Sequence, residues 1–580
     1  MTQSNWNSKP TNSEWNSAEN WSPSGVPTDT ATFASSTETA ITFAQTSEAS
    51  IEIIQFTDNA SSYTFSLGTS DTPALIISGE GVFNASRNRQ SFIVAATSSG
   101  YKNPQLKFIN SASAGEADVY YCSGPESEKG YGGGIISFCD NTSAGAAIFK
   151  VWTGAGVPPQ HSTVGGEVSF SDSSSASAAQ FTIYGTLGAD GDTFGNVVFH
   201  NTATAANAVF TNVGGTVSGG DGGNTQFYGD STAANGIYNN WGGTCPKANG
   251  GDVAFDANAT GANGYFHNYA AKAEGAYGGV TSFNNNPPHM PSKGASAGNG
   301  SYFNYGAREG EKGGGGHVEF SAKYGSATAE TATIVNYGST VQSKSSAGHT
   351  IFSINQPTDY YPSAGKATFW NHSGVVEGTA AGFTEFSVYG TQVKAGSESE
   401  TSQVPTADQA TFINLGADSP KAKGGYTLFS GNTTAANATL IGYGGSQGGY
   451  GGRVVFYDQA TGDKAKVQLF GNAELDISYH TSGVTIGSLE LSEGIIVVQL
   501  GTLVTKLSLS GELTLKSPYT TFSFYYNAKG GFELNTPYTV LTCANMSSFT
   551  SEQFSANTIE GIEPTFSIVG SDLQVIYKQK

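Results

Sequence analysis

A phenylalanine that returns at a near-constant interval constrains this chain more than any other feature. Phe108, Phe138, Phe170, Phe199, Phe227, Phe255, Phe283, Phe320, Phe352, Phe386, Phe429 and Phe456 each close a short strand-like run, which in its clearest copies reads Gly-Gly-x-apolar-x-Phe. A second motif follows, in its fullest form Ala-x-Phe-x-Asn-x-Gly, as in Ala208-Val-Phe210-Thr-Asn212-Val-Gly214. The tightest spacings are 27 (Phe429 to Phe456) and 28 (Phe199 to Phe227), and longer ones carry insertions such as Gly390 to Pro405 and Asn284 to Asn299. Twelve such units cover roughly residues 100–472. A fixed period of this length marks a repeat array in which each unit buries its apolar face only against its neighbours.

Within each unit, apolar residues alternate with polar ones, the period of a strand rather than a helix. Two clear short strands per 28 residues, with room for a third, fit one coil of a β-helix. The expected fold is therefore all-β: a single-stranded right-handed parallel β-helix with capping regions at both ends. Residues 1–99 read as an N-terminal cap and first coils, 100–472 as the repeat, and 473–580 as C-terminal β coils and cap. The N-terminal segment carries Trp6, Trp15 and Trp21, while the C-terminal one loses the Gly-Gly template for runs such as Leu489-Glu-Leu491 and Ile495-Ile-Val-Val498. A parallel stack needs such ends, because its raw edges would otherwise pair with other chains.

Composition agrees with an ordered, polar-coated solenoid. Gly is 77 of 580, about 13% and nearly double the usual share, while aromatics at 12% are far above what a disordered chain carries. Charged residues are only 12%, so Ser, Thr, Asn and Gly supply the polar surface, as is common in extracellular β-proteins. The net charge of −20 (26 basic against 46 acidic) excludes a phosphate-binding field, and nucleic acid is not an expected partner. The longest apolar run near the tail, Ile495 to Val498, is too short to span a bilayer. Met1-Thr-Gln-Ser-Asn-Trp6 reads as no signal peptide; the expectation is an extracellular or cell-surface protein whose native leader the initiator methionine has replaced.

Two in-register rows stand out. Asn212, Asn240, Asn268, Asn304, Asn336, Asn371 and Asn414 recur in the second strand, either as an amide ladder bonding coil to coil or as a polar row for ligand contact. Tyr184, Trp241, Tyr269, Tyr305, Tyr337 and Tyr443 occupy a neighbouring position, either as stacked structural support or, if outward, as a row of glycan-facing aromatics. Asp190, Asp192 and Asp221 lie in Gly-rich turns shortly before a strand Phe. They are ordinary turn residues or a calcium site, the one cofactor the sequence suggests. No catalytic set emerges. The eight histidines are scattered, with His267 and His372 beside ladder asparagines and expected to be exposed at corners. Cys122 and Cys139 fall in different registers, about half a coil apart, so buried free thiols are expected rather than a disulfide.

The opening Trp15-Asn-Ser-Ala-Glu-Asn-Trp21-Ser-Pro-Ser-Gly25-Val-Pro27 with Asp29-Thr-Ala31-Thr-Phe33, and the tail from Leu489-Glu-Leu491 to Tyr538-Thr-Val-Leu541, resemble autotransporter-type passenger proteins with β-strand repeats. The Gly-Gly and Phe-x-Asn units are similar to those of chlamydial polymorphic outer-membrane proteins, although Phe210-Thr-Asn212 is one residue shorter than their Phe-x-x-Asn. The resemblance implies a right-handed β-helix, surface exposure, and adhesion or a structural role towards cell-surface or matrix glycans or proteins. Autotransporters end in a membrane barrel; the 108 residues after the last repeat (580 − 472) point to a passenger alone or a secreted relative. The main expectation is a non-catalytic structural or adhesive surface protein. A polysaccharide lyase, glycosidase or glycan-binding module on the same helix is the alternative, with self-assembly into a fibre as a third. Two or three carboxylates with a Lys or Arg in reach on one outer face would favour the enzyme.

Overall fold

In the computed structural model, residues 2–43, 48–67, 74–95, 104–124, 133–153, 165–186, 194–284, 293–322, 325–342, 346–355, 360–388, 404–501, 503–516, 522–529, 533–558 and 561–579 are described. Most of the insertion from Gly390 and half of that from Asn284 lie outside them. The chain is all-β and divides into two compact units, Met1–Thr281 and Ser282–Lys580, each built of stacked parallel coils.

In the first unit, a coil supplies two four-residue strands. Asn196–Phe199 and Val209–Asn212 are one such pair. Strict alternation sends Val197 and Phe199 inward from the first, and Phe210 and Asn212 inward from the second, all with no exposed surface. Each strand pairs in parallel with its counterparts one coil earlier and one coil later. Phe170, Phe199 and Phe227 are in register, as are Ile183, Asn212 and Asn240. Equivalent residues therefore lie one above another, which is the geometry of a parallel β-helix.

The third side is thinner than a strand. It is a column of single-residue parallel bridges, Ser113–Ser143–Ser175–Thr204–Thr232–Thr260. Each hydroxyl also accepts the backbone N–H two residues on, at 3.1 Å from Ala206 to Thr204 and from Ala234 to Thr232. Those acceptor turns hold Ala206 and Ala234 at φ of 50° and 47°, a left-handed conformation that costs an alanine about 1–2 kcal/mol. A second left-handed column sits two residues after each strand Phe. There Asn110, Asp140, Asp172, Asn201 and Gly229 adopt φ of 55–68°, which these residue types tolerate, and Ala257 follows at 59°.

The interior is two stacked aromatic columns. Along the first, Phe108, Phe138, Phe170, Phe199, Phe227 and Phe255 have centroids 4.6–4.8 Å apart and planes within 9°. The second runs Phe65, Phe92, Tyr120, Phe149, Phe181, Phe210, Tyr238 and Phe266 at 4.6–5.0 Å. The columns meet edge to face, as between Phe199 and Phe210 at 5.9 Å and 75°, an arrangement the ring quadrupoles favour. Coils begin well before the recognisable repeat: Thr30–Phe33 already pairs in parallel with Ala49–Phe56. Above them Trp6, Trp15 and Trp21 are buried and meet edge-on at about 5 Å. Ser4–Trp6 pairs antiparallel with Trp21–Ser22, so this end of the unit is closed by an indole cluster and a reversal of strand direction.

The second unit repeats the plan. Phe283, Phe320, Phe352, Phe386, Phe429 and Phe456 stack at 4.5–5.0 Å, opposite a mixed column of Tyr302, Ile334, Phe369, Phe412 and Leu440, all fully buried. After Phe456 the strands lengthen, to Lys466–Asp476 and Ser488–Gly501, and Leu, Ile and Val replace the rings. A separate sheet of Gly483–Ile486, Lys506–Leu509 and Tyr538–Thr542 starts in parallel. It ends in the antiparallel hairpin of Ile562–Val569 and Asp572–Gln579, so here too a change of strand direction terminates the stack.

Candidate functional site

The asparagine row is a buried ladder. Asn212 donates Nδ2–H to Oδ1 of Asn240, and Asn240 to Asn268, at 2.8 Å. In the second unit Asn304, Asn336, Asn371 and Asn414 repeat the bond at 2.8 Å. All seven have no exposed surface. Their remaining capacity is used inside: Thr225 donates to Asn212, Thr350 to Asn336, Thr384 to Asn371 and Thr427 to Asn414, at 2.9–3.1 Å. Asn304 and Asn336 also donate to the carbonyls of His349 and Phe383. Of the two readings open in the sequence, the ladder is the one the geometry supports, because no ligand can reach these amides.

The next residue in each coil faces out, since alternation follows an inward asparagine. Trp241 and Tyr443 are 40% and 42% exposed. Tyr184, Tyr269, Tyr305 and Tyr337 are half-buried, and each stacks on a ring of an adjacent coil. Trp241 lies 4.2 Å from Tyr269, and Tyr305 lies 5.3 Å from Tyr337. Three further members, which the sequence did not place in it, complete the row. Trp152 stacks on Tyr184 at 3.9 Å, His372 on Tyr337 at 4.9 Å and Phe470 on Tyr443 at 5.2 Å. The rule that finds them is position, the residue after the last inward side chain of the second strand, whatever its type. The same rule finds the interruptions, Val213 and Leu415. Around the first-unit row lie more exposed apolar groups, Ile237 at 39% and Tyr265 at 49%, which are in register. Together these rings make a partly exposed aromatic strip on the outer face of the coils.

Of the three aspartates, Asp190 and Asp192 lie outside the described residues. Asp221 Oδ1 accepts from Asn249 Nδ2 at 2.6 Å, coil to coil, and its carbonyl accepts from Thr186 N at 2.8 Å. Among the described residues no group of three or more His, Cys, Asp or Glu converges as metal ligands do. Two expectations need correction. Cys139 and Cys245 are only partly buried, while Cys122 and Cys543 are buried; all four are free thiols. Burial pushes the Cys122 thiol well up, so it is inert. His267 and His372 are half-buried rather than exposed, because neighbouring rings cover them, and that burial lowers both pKa values.

Two other places hold groups suited to chemistry. On the outer face of the second unit, Arg453 meets Glu474 at 3.0 Å and Asp476 at 2.8 Å. Burial raises the Glu474 pKa against the pull of Arg453. Asp476 is consumed: its other oxygen accepts from the backbone and hydroxyl of Ser478 at 3.0 and 2.7 Å. The second place is a 510 Å³ depression lined by Asp463, His480 and Thr481 among others. His480 accepts at Nδ1 from Ser482 N and Gly483 N, and its Nε2 faces the Ala460 carbonyl at 3.1 Å. Both ring nitrogens are thus held by backbone, which removes the imidazole as a general base. No helix among the described residues is long and apolar enough to cross a membrane. In comparisons with known proteins, no family model and no curated protein sequence matches this chain.

Proposed function

We propose that this protein is a non-catalytic adhesive solenoid of the cell exterior, whose outward aromatic row contacts glycans or proteins of a surface or matrix. The observation that carries the reading is a division of labour between faces. Inside, amides, hydroxyls and rings bond and stack coil to coil in columns, which makes a rigid support. Outside, at one fixed position per coil, large rings stand partly exposed, up to 40% at Trp241 and 42% at Tyr443, among Ser, Thr, Asn and Gly. Rigid aromatic anchors on a polar surface are what a binding face is made of, and the autotransporter-like sequence style fits surface display. The test is binding of the purified protein to a glycan array and to matrix proteins, with lyase and hydrolase assays run in parallel. Saturable binding without turnover is the expected result; turnover of a bound polysaccharide would overturn it.

One observation favours the enzyme alternative: Arg453 between Glu474 and Asp476 is the carboxylate–cation grouping such a site needs. A structural role is favoured because Asp476, 6% exposed, already accepts from Arg453 and from the N–H and hydroxyl of Ser478.

A further inference from the structure

Stacked rings shield one another's faces, so a continuous row presents only edges to solvent. The row is interrupted once in each unit, and always by a single aliphatic residue. In the first unit Tyr184, Val213 and Trp241 continue the ladder in register, their N–H groups bonding to Val151, Ile183 and Asn212 carbonyls at 2.8–2.9 Å. Tyr184 has its other face on Trp152, and Trp241 on Tyr269. In the second unit His372, Leu415 and Tyr443 are aligned in the same way, bonding to Asn336, Asn371 and Asn414 carbonyls at 2.9–3.0 Å. His372 has its other face on Tyr337, and Tyr443 on Phe470. Each interruption therefore leaves two ring faces turned toward one another across one missing ring.

We infer that these two gaps are saccharide slots, each taking one neutral pyranose ring between aromatic walls, with Val213 or Leu415 as its floor. The inference rests on the adhesive reading above and names its ligand class. Two coil spacings set the walls about 9.6 Å apart. A planar ring with a van der Waals contact of about 3.5–4.0 Å on each face fills only roughly 7–8 Å, and the pucker of a chair takes up the remainder. An aromatic side chain of a partner would fit loosely where a pyranose fits closely. The slot rims supply the hydroxyl-binding groups. The Gly-rich loop that leaves Val213 returns to it through Gly223 N at 2.8 Å, and the one from Leu415 returns through Gly425 N at 2.9 Å. Each loop carries a carboxylate polarised by a neutral donor on the next coil: Asp221 by Asn249 at 2.6 Å, and Asp418 by Ser446 at 2.8 Å. Carboxylates on these loops would accept from sugar hydroxyls and repel sulfated or uronic sugars, as does the net charge of −20.

The test is calorimetric titration of the full chain with hexasaccharides of glucose, galactose, mannose and N-acetylglucosamine, with a galacturonate hexamer as the anionic control. At least one neutral hexasaccharide is expected to bind with two sites per chain and to perturb Trp241 fluorescence. Val213→Phe and Leu415→Phe each fill one slot with the ring the other coils already carry, so the fold is kept. Each should reduce the stoichiometry from two to one, and the double variant should lose at least tenfold in affinity. Tyr184→Ala and Tyr443→Ala remove one wall from each slot without filling it, and each should weaken its own slot. If the double Phe variant binds as wild type does, or the galacturonate hexamer binds best, the slots are overturned and the adhesive reading stands. If wild type binds neither the array nor any hexasaccharide, glycan adhesion and the slots fall together.

Discussion

Asn371 donates to Oδ1 of Asn414 at 2.8 Å, and there the ladder stops. The position in register on the next coil is Gly442, and Asn414 Nδ2 has no acceptor. An asparagine at 442 is blocked, because its Cβ would lie 2.9 Å from that of Ala473 and 3.2 Å from Leu469 Cδ2.

Position along the ladder therefore decides the cost of losing a member. Asn336→Ala removes an acceptor from Asn304 and Thr350 and a donor from Asn371. Stranding buried polar groups costs about 1–3 kcal/mol each, so a loss of roughly 3–5 kcal/mol is expected. Asn414→Ala also strands partners, Asn371 and Thr427, but it deletes a buried donor that was already unmet. It should cost about half as much, read as a smaller drop in urea midpoint at unchanged slope.

The Gly-Gly signature makes a contrasting prediction. A methyl group on Gly251 would collide with the Asn212 carbonyl oxygen, a backbone atom that cannot move without breaking the ladder bond to Trp241 N. Gly251→Ala should cost about 2–3 kcal/mol or more. Ala234→Gly goes the other way: it relieves an alanine at φ 47°, worth about 1–2 kcal/mol, against the roughly 0.5–1 kcal/mol that glycine's extra freedom costs. The net is neutral to slightly stabilising, checked by thermal melts of the two variants side by side.

These two positions also show what the sequence made legible. The Phe and Asn columns were readable because an inward position repeats one residue type at one interval, and burial selects for like over like. The glycines were readable for the same reason. The third side of each coil was not, because its bridge residue alternates between Ser and Thr and the strained residue after it is as ordinary as Ala206 or Ala234. The aromatic row was only half legible. Facing water, it accepts Trp152, Tyr184, His372 or Phe470 at one position, so searching for tyrosine and tryptophan missed members that position alone defines. The slots were invisible, since an interruption by Val213 or Leu415 means nothing until its neighbours are known to be rings.

Arg453 tests whether the acidic pair on the second unit is structural. Arg453→Met keeps the stem but leaves Asp476, whose side chain is 6% exposed, and Glu474 without their cation. Breaking a largely buried pair on one side costs about 3–5 kcal/mol, and the partly exposed guanidinium, 37%, puts the expectation at the lower end. Acidification should recover part of the loss, because protonating the orphaned carboxylates removes their charge. A stability loss with no pH component would show that Arg453 serves packing alone.

Acid should act with opposite sign at two buried sites, one in each unit. His317 and His349 stack at 4.9 Å and 3° in the second unit, with Phe383 next in the column at 4.9 Å. Burial, and then repulsion from His349, push the His317 pKa down to about 3; burial also lowers that of His349, although Glu385 pulls the other way. A depressed histidine binds fewer protons folded than unfolded, so its contribution is intact above about 6.5 and drains away as pH falls towards 3. In the first unit, burial raises Asp118 to about 6, against hydrogen bonds from Asn84 and Gln90 N. A raised carboxyl binds more protons folded than unfolded, so its contribution is intact below about 4 and is lost as pH rises through 6. Hydrogen exchange at pH 7.5 and 4.5, read peptide by peptide by mass spectrometry, should show protection falling around His317 and His349 on acidification and rising around Asp118. His317→Phe extends the ring column and should abolish much of the first effect. Asp118→Asn keeps one acceptor oxygen and should remove the second, raising stability at pH 7.5 by about 1–3 kcal/mol. Equal responses to acid around His317 and around Asp118 would refute the assignment.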